Sequence, residues 1–174
     1  VVILVMDAKA GLHTQDEKLA GIIEDRKKCC IIAVNKWDLA ADKDTKTTGE
    51  VEDAIRQKMP FIAYAPVVFV SALRGQRVPR IFDVVDGLVE KSAKRLKTSE
   101  LNKILEETVT RHHPPSHKGK EVKFYYATQT GVSPPEFVIF SNHPDGVDDS
   151  YKRYVVNSLR EAAGMEECPL KIFY

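Results

Sequence analysis

The chain has 174 residues, of which 43% are hydrophobic and 29% charged, and its formal net charge is +1. That composition excludes an intrinsically disordered chain, and the length holds one ordinary domain or two small ones. The near-zero charge leaves any nucleic-acid partner to a local basic patch, and apolar runs of about eight residues fall short of the roughly 18–20 that a membrane span needs.

Val1 opens inside the apolar run "VVILVMD", with no charged leader and no cleavage site, so a secretory signal is not expected. A start in mid-strand suggests a piece of a longer protein. "VVILVMD" (1–7), "CCIIAVN" (29–35) and "APVVFVS" (65–71) are nearly uniform in apolarity, which predicts parallel strands buried on both faces. Between the first two, "TQDEKLAGIIEDRKK" places Leu19, Ile22, Ile23 and Arg26 at helical spacing, with Thr14 as N-cap and acids in the first turn. "GEVEDAIRQKM" sets Val51, Ala54, Ile55 and Met59 on one helical face. "VPRIFDVVDGLVEKSAKRL" does the same with Ile81, Val84, Val85, Leu88 and Val89. Strand alternating with helix predicts a doubly wound α/β sheet.

Near residue 97 the texture changes. "TSELNKILEETVTRHH" predicts a helix with Leu101, Ile104, Leu105, Thr108 and Val109 inward, stopped by Pro114 and Pro115. Two strands follow, "EVKFYYATQ" and "PEFVIFSN", joined by a turn with Gly131, Pro134 and Pro135. "DDSYKRYVVNSLREAAG" predicts a further helix with Gly164 as C-cap, and "PLKIFY" a third strand. Helix, strand, strand, helix, strand describes a small α+β domain of about 75 residues.

Ligands of a doubly wound sheet bind beyond the carboxyl ends of its strands. Asn35-Lys36-Trp37-Asp38 lies there for the second strand, and Ser71-Ala72-Leu73 for the third. A carboxylate at that place can accept parallel hydrogen bonds from the N1–H and N2–H₂ edge of guanine, which adenine lacks. The Lys36 stem can lie along the base, the Asn35 amide can tie the neighbouring loop, the Ala72 N–H can donate to O6, and Leu73 can cover the ring. Taken alone, an N-K-x-D turn could equally be a helix cap beside a surface lysine. Two such loops at neighbouring strand ends favour the guanine pocket.

"NKWD" and "SAL" resemble the guanine-specificity motifs of translation-factor-like GTPases. Across the whole chain, "SALRGQRVPRIFDVVD", "TSELNK", "RHHPPS" and "YYATQTGVSPPEFVIF" resemble the bacterial double-Era GTPases, the EngA/Der family. The resemblance implies an α/β fold in which residues 1–97 form the C-terminal half of a P-loop GTPase domain. Residues 98–174 would then be a KH-like α+β domain with a three-stranded sheet. It further implies a GTP hydrolase acting in large-subunit ribosome assembly in the cytoplasm, with ribosomal RNA as partner and contacts between KH-like and G domains. GTP or GDP would be read by Asn35, Lys36, Asp38, Ser71, Ala72 and Leu73. Mg²⁺ would find its ligands upstream of this chain.

No G-x-x-x-x-G-K-[ST] phosphate loop occurs in the sequence, and no catalytic residue is assigned within it. The fragment alone is therefore expected not to hydrolyse GTP. "DAKAG" (7–11) is one residue too long for a D-x-x-G switch, so Asp7 is read as a strand-end or loop-capping residue. Three parallel strands without neighbours would also leave an apolar edge open to pairing.

In the second part no GXXG loop follows residue 97, so charge is what remains for RNA. Glu90 to Lys123 holds nine Lys or Arg against five acids, a run that could meet phosphates or could be a solvated face. "HHPPSH" reads as a rigid linker and not as a metal site, since adjacent histidines cannot easily share one ion. Phe124, Tyr125 and Tyr126 could stack on bases, although strand alternation commits part of this run to core. Cys29, Cys30 and Cys168 read as reduced core residues. Two hypotheses stand: an enzyme fragment carrying the guanine pocket, and a KH-like binding module without activity.

Overall fold

The computed structural model describes residues 1–40 and 45–174. The chain divides into two compact units, Val1–Glu90 and Lys91–Tyr174.

The first unit contains a parallel sheet of β1 (Val2–Asp7), β2 (Cys30–Asn35) and β3 (Val67–Phe69), in the order β1-β2-β3. Helices α1 (Thr14–Asp25), α2 (Thr45–Lys58) and α3 (Val78–Ala93) alternate with the strands. With a strand on each side, β2 is buried from Cys30 to Val34, as its uniform apolarity predicts. Each such aliphatic side chain withdrawn from water contributes about 1.5–3 kcal/mol. Ile23 on α1 and Ile55 and Met59 at the end of α2 join Leu4, Met6, Ile32 and Val34 in this core.

Five expectations are corrected here. β1 is not buried on both faces: Leu4 and Met6 point inward, but Ile3 and Val5 are 43% and 58% exposed. The strand lies at an edge of its sheet, and a run of apolar letters does not reveal whether a layer covers the second face. In α1 the buried positions are Ala20 and Ile23, while Leu19 and Ile22 face outward. The apolar stripe is wide, and the helix turns its small alanine to the sheet. The N-cap is His13 and not Thr14, with the Asp16 carboxylate accepting the His13 N–H at 2.9 Å. On α3 Leu88 is buried, Ile81, Val84 and Val85 are half-buried, and Val89 is exposed. Ala54 on α2 is likewise exposed.

The second unit contains α4 (Thr98–Arg111), β4 (Phe124–Gly131), β5 (Glu136–Ser141), α5 (Asp149–Ala162) and β6 (Lys171–Phe173). The sheet order is β4-β5-β6, with β4 antiparallel and β6 parallel to β5. Helix α4 packs on β4 and α5, burying Leu101, Ile104, Leu105 and Thr108 as its spacing predicts, while Val109 is only half-buried. Val155 and Leu159 on α5 and Phe137 and Ile139 on β5 are fully buried. An exposed strand edge invites pairing with other chains, and Asn102 closes the edge of β4. Its Oδ1 accepts the Ala127 N–H at 2.8 Å and its Nδ2 donates to Ala127 O at 3.0 Å. Gln129, also buried, fixes the connector before α4. Its Oε1 accepts the Leu96 N–H at 2.8 Å, while its Nε2 donates to Lys94 O and Gly131 O at 2.9 and 3.1 Å. Asp148 caps α5 by accepting the Tyr151 N–H at 2.7 Å, and Gly164 ends it with φ +65°. Among the described residues no helix is long and apolar enough to cross a membrane.

Candidate functional site

The carboxyl ends of the three parallel strands come together through strand register. Asp7 lies beside Asn35 across β1 and β2, and Val34 lies beside Phe69 across β2 and β3. Backbone bonds extend the sheet past its formal ends. Ala8 N–H donates to Asn35 O at 2.9 Å, Val70 N–H to Val34 O at 2.9 Å, and Trp37 N–H to Val70 O at 3.0 Å.

Trp37 explains how the polar motif holds its shape. Its ring is buried and tilted on Phe69, with centroids 4.4 Å apart. Lys36 before it adopts the left-handed conformation, with φ +60°, and Trp37–Leu39 forms a short helical turn. The buried indole thus anchors the centre of the motif, and Lys36 and Asp38 project from either side of it.

Asn35, as expected, ties the two loops: its Oδ1 accepts the Ala72 N–H at 2.9 Å. One assignment changes in consequence. The Ala72 N–H was expected to face guanine O6 and is instead committed to Asn35. Leu73 N–H makes no hydrogen bond among the described residues and is the donor left open in that loop. Ser71 is buried and shapes the loop. It exchanges backbone hydrogen bonds with Gln76, each 3.0 Å, and its Oγ accepts the Arg74 N–H at 3.3 Å. Leu73 is 92% exposed, a large apolar side chain at the loop tip.

Asp38 is directed at this loop. Its side chain is only 4% exposed, and Arg74 Nε lies 3.4 Å from its Oδ2. A guanidinium and the N1–C2–N2 edge of guanine carry the same chemistry, coplanar N–H donors that suit a carboxylate. Arg74 therefore meets Asp38 with the kind of donor group that a guanine would offer.

Asp7 does more than the sequence assigned to it. Its Oδ1 accepts the N–H groups of Lys9 and Ala10 at 2.8 and 3.2 Å, the loop-capping task expected of it. Its Oδ2 accepts from Lys36 Nζ at 2.6 Å. The Lys36 ammonium, followed by the two loop N–H groups, holds the Asp7 carboxyl below its ordinary range. The available signal was positional: an acid ends the strand that runs parallel to the one carrying Lys36.

In the second unit the "HHPPSH" run is a largely exposed connector, touching down at its first residue. His112 lies against Tyr151 and Tyr154, with centroids 6.1 and 5.3 Å away, and its carbonyl accepts the Tyr151 hydroxyl at 2.7 Å. Phe124 packs against Tyr151 and Tyr174. Tyr125 and Tyr126 are both exposed, because a register shift between Phe124 and Tyr126 interrupts strict alternation. Tyr126 stacks on Phe140 with centroids 4.2 Å apart. Cys29, Cys30 and Cys168 are buried thiols outside any disulfide, and burial pushes the Cys30 thiol up to about 11.

Comparison with known proteins agrees with both units. Residues 1–91 match the family model of the elongation factor Tu GTP-binding domain, and residues 95–174 match the KH-domain-like, C-terminal model of EngA bacterial GTPase enzymes. All 174 residues align with proteins named GTPase Der, at 46% identity in Moorella thermoacetica, 44% in Geobacter metallireducens and 42% in Fusobacterium nucleatum. The chain spans about two fifths of these relatives' length, 39–40%. With a G-domain portion followed by the KH-like domain, the chain belongs to the EngA/Der family of GTPases.

Proposed function

We propose that this chain is the guanine-reading half of a G domain, residues 1–97, joined to a KH-like RNA-binding domain, residues 98–174. The observation that carries the proposal is the nearly buried Asp38 carboxylate, held by the Trp37 anchor and facing the 71–76 loop. In this reading Asp38 accepts from guanine N1–H and N2–H₂, with Arg74 swinging out as the base enters. Lys36 lies along the base, its ammonium steadied by Asp7. Asn35 locks the second loop through Ala72, Leu73 N–H donates to O6, and the Leu73 side chain covers the ring. These donors and acceptors suit the base of GTP or GDP. Nothing in this sequence supplies a phosphate loop, so Mg²⁺ and the phosphates belong to residues upstream, and no hydrolytic step is assigned to this chain. The longer protein would hydrolyse GTP in cytoplasmic assembly of the large ribosomal subunit, a setting that suits three buried thiols outside any disulfide.

Nucleotide competition on Asp38→Asn tests the pocket. An amide offers a donor where the carboxylate accepted, so guanine preference falls and xanthine, with a carbonyl at C2, gains. An unchanged preference would remove Asp38 from the site. GTP turnover by the purified 174-residue chain, abolished by Asp38→Ala, would contradict its assignment as a non-catalytic half. A second reading, a KH-like module that binds RNA without enzymatic activity, draws on the compactness of Lys91–Tyr174 as a unit of its own. It predicts that Asp38→Asn leaves RNA association intact.

A further inference from the structure

From the last residue of α4 to the start of β4, residues 111–123 carry Arg111, Lys118, Lys120 and Lys123 against the single acid Glu121. Its tip is a tight hairpin in which His117 and Lys120 exchange backbone hydrogen bonds of 2.8 and 2.9 Å. Lys118 and Gly119 both have positive φ, +49° and +74°, the backbone of a type I′ turn. The base of the hairpin is clamped by Asn142. Its Oδ1 accepts the Lys123 N–H at 2.8 Å, its Nδ2 donates to Glu121 O at 2.9 Å, and its own N–H donates to Lys123 O at 3.2 Å. The tip is seated as firmly: a Cβ added at Gly146 would lie 2.7 Å from the Cβ of His117. Only glycine lets the hairpin close on the 144–146 turn.

Between hairpin and turn lies a cavity of about 440 Å³, lined by His117, Lys118, Lys120, Asn142, His143 and Asp145 among others. Lys123 is paired with Glu121 at 3.1 Å, but Lys118 and Lys120 make no ion pair among the described residues. Two lysines and two histidines thus face one carboxylate. Holding two like charges on a clamped turn repels them mutually, and an anion would relieve that repulsion.

We propose that this cavity grips the phosphodiester backbone of single-stranded RNA, with Lys118 and Lys120 each neutralising a phosphate. The proposal rests on reading Lys91–Tyr174 as an RNA-binding unit and says where that unit holds RNA. A KH module ordinarily clamps backbone with a GXXG loop, and no such loop follows residue 97. The Lys118-Gly119 turn supplies the cations in its place. Asp145 keeps phosphate to the lysine side of the cavity.

For a single strand, each phosphate neutralised adds about 0.7 to the slope of log K against log salt. Losing two contacts lowers that slope by about 1.4, which is roughly a 25-fold loss of affinity at 0.1 M salt. The test is fluorescence anisotropy of a labelled, mixed-sequence single-stranded RNA with the 174-residue chain across a salt series. The double variant K118Q/K120Q should show that loss and that shallower slope, with an unchanged circular dichroism spectrum. A control double variant, K103Q/K152Q on the exposed faces of α4 and α5, should bind like wild type, and Asp145→Asn should bind more tightly. If wild type binds while K118Q/K120Q matches it, or if both double variants lose equally, the hairpin is not the grip. If wild type fails to bind RNA even at low salt, the RNA-binding reading of the unit falls together with it.

Discussion

Removing the indole that anchors the N-K-W-D motif should damage stability and selectivity together. In Trp37→Ala the lost ring is almost fully buried and packs on Phe69 with centroids 4.4 Å apart. Truncating a buried Trp or Phe costs about 3–5 kcal/mol in transfer and cavity terms. A domain of this size is stable by only about 5–15 kcal/mol. With a urea m-value near 2 kcal/mol/M, the unfolding midpoint of the first unit should fall by roughly 1.5–2.5 M. The backbone bond from residue 37 to Val70 O is not removed by the substitution, so the loop should survive at low denaturant while losing its fixed aim. Far-UV circular dichroism in urea measures the stability, and nucleotide competition measures the guanine preference. Trp37→Phe should recover most of both, since a smaller ring still meets Phe69. Trp37 is the chain's only tryptophan, so in wild type its fluorescence reports on this packing directly. A loss below about 1 kcal/mol, or an Ala variant that discriminates guanine as well as wild type, would refute the anchoring role.

Other substitutions and conditions test separate parts of the account. Asp7→Asn should weaken guanine binding by freeing Lys36. Because the Asp7 carboxyl is held below its ordinary value of 3.8 by Lys36 and two loop N–H groups, its contribution is present above that value and is lost as pH falls through the folded value. Melts in acid should therefore show a shallower decline for Asp7→Asn than for wild type. Gln129→Leu strips partners from Leu96 N–H and Lys94 O, at about 1–3 kcal/mol for each buried group left unpaired. A urea midpoint for the second unit within error of wild type would contradict that role. The Cys30 thiol, raised by burial from 9.0 to about 11, adds stability that is complete below pH 9 and lost as pH rises toward 11. A thiol reagent at neutral pH should reach Cys30 only after denaturation.

The sequence was most informative where one signal had one structural solution. "CCIIAV" reads as a buried strand and is one, and Leu101, Ile104, Leu105 and Thr108 define a single helical face. It was least informative where the deciding contact is distant. Ile3 and Ile32 are equally apolar, yet only Ile32 is buried, because burial depends on what packs against a strand and not on its letters. The wide stripe of α1 admitted more than one rotation, and the structure chose Ala20 over Leu19. At the candidate site the motif residues were legible, whereas their partners were not. Asp7 reaches Lys36 across 29 positions through strand register, and Arg74 reaches Asp38 through the fold of a loop. The seat of His117 on Gly146 is of the same kind, visible only once the hairpin is built.

The central claim is that the strand-end cleft between residues 35–38 and 71–74 is built for the edge of guanine. Backbone amide shifts of the isotope-labelled 174-residue chain, titrated with GDP and then with ADP, test it most directly. The account predicts shifts at Lys36, Asp38, Leu73 and Arg74 with GDP, and none of comparable size with ADP. Equal responses to the two nucleotides, or shifts confined to residues outside these loops, would contradict it.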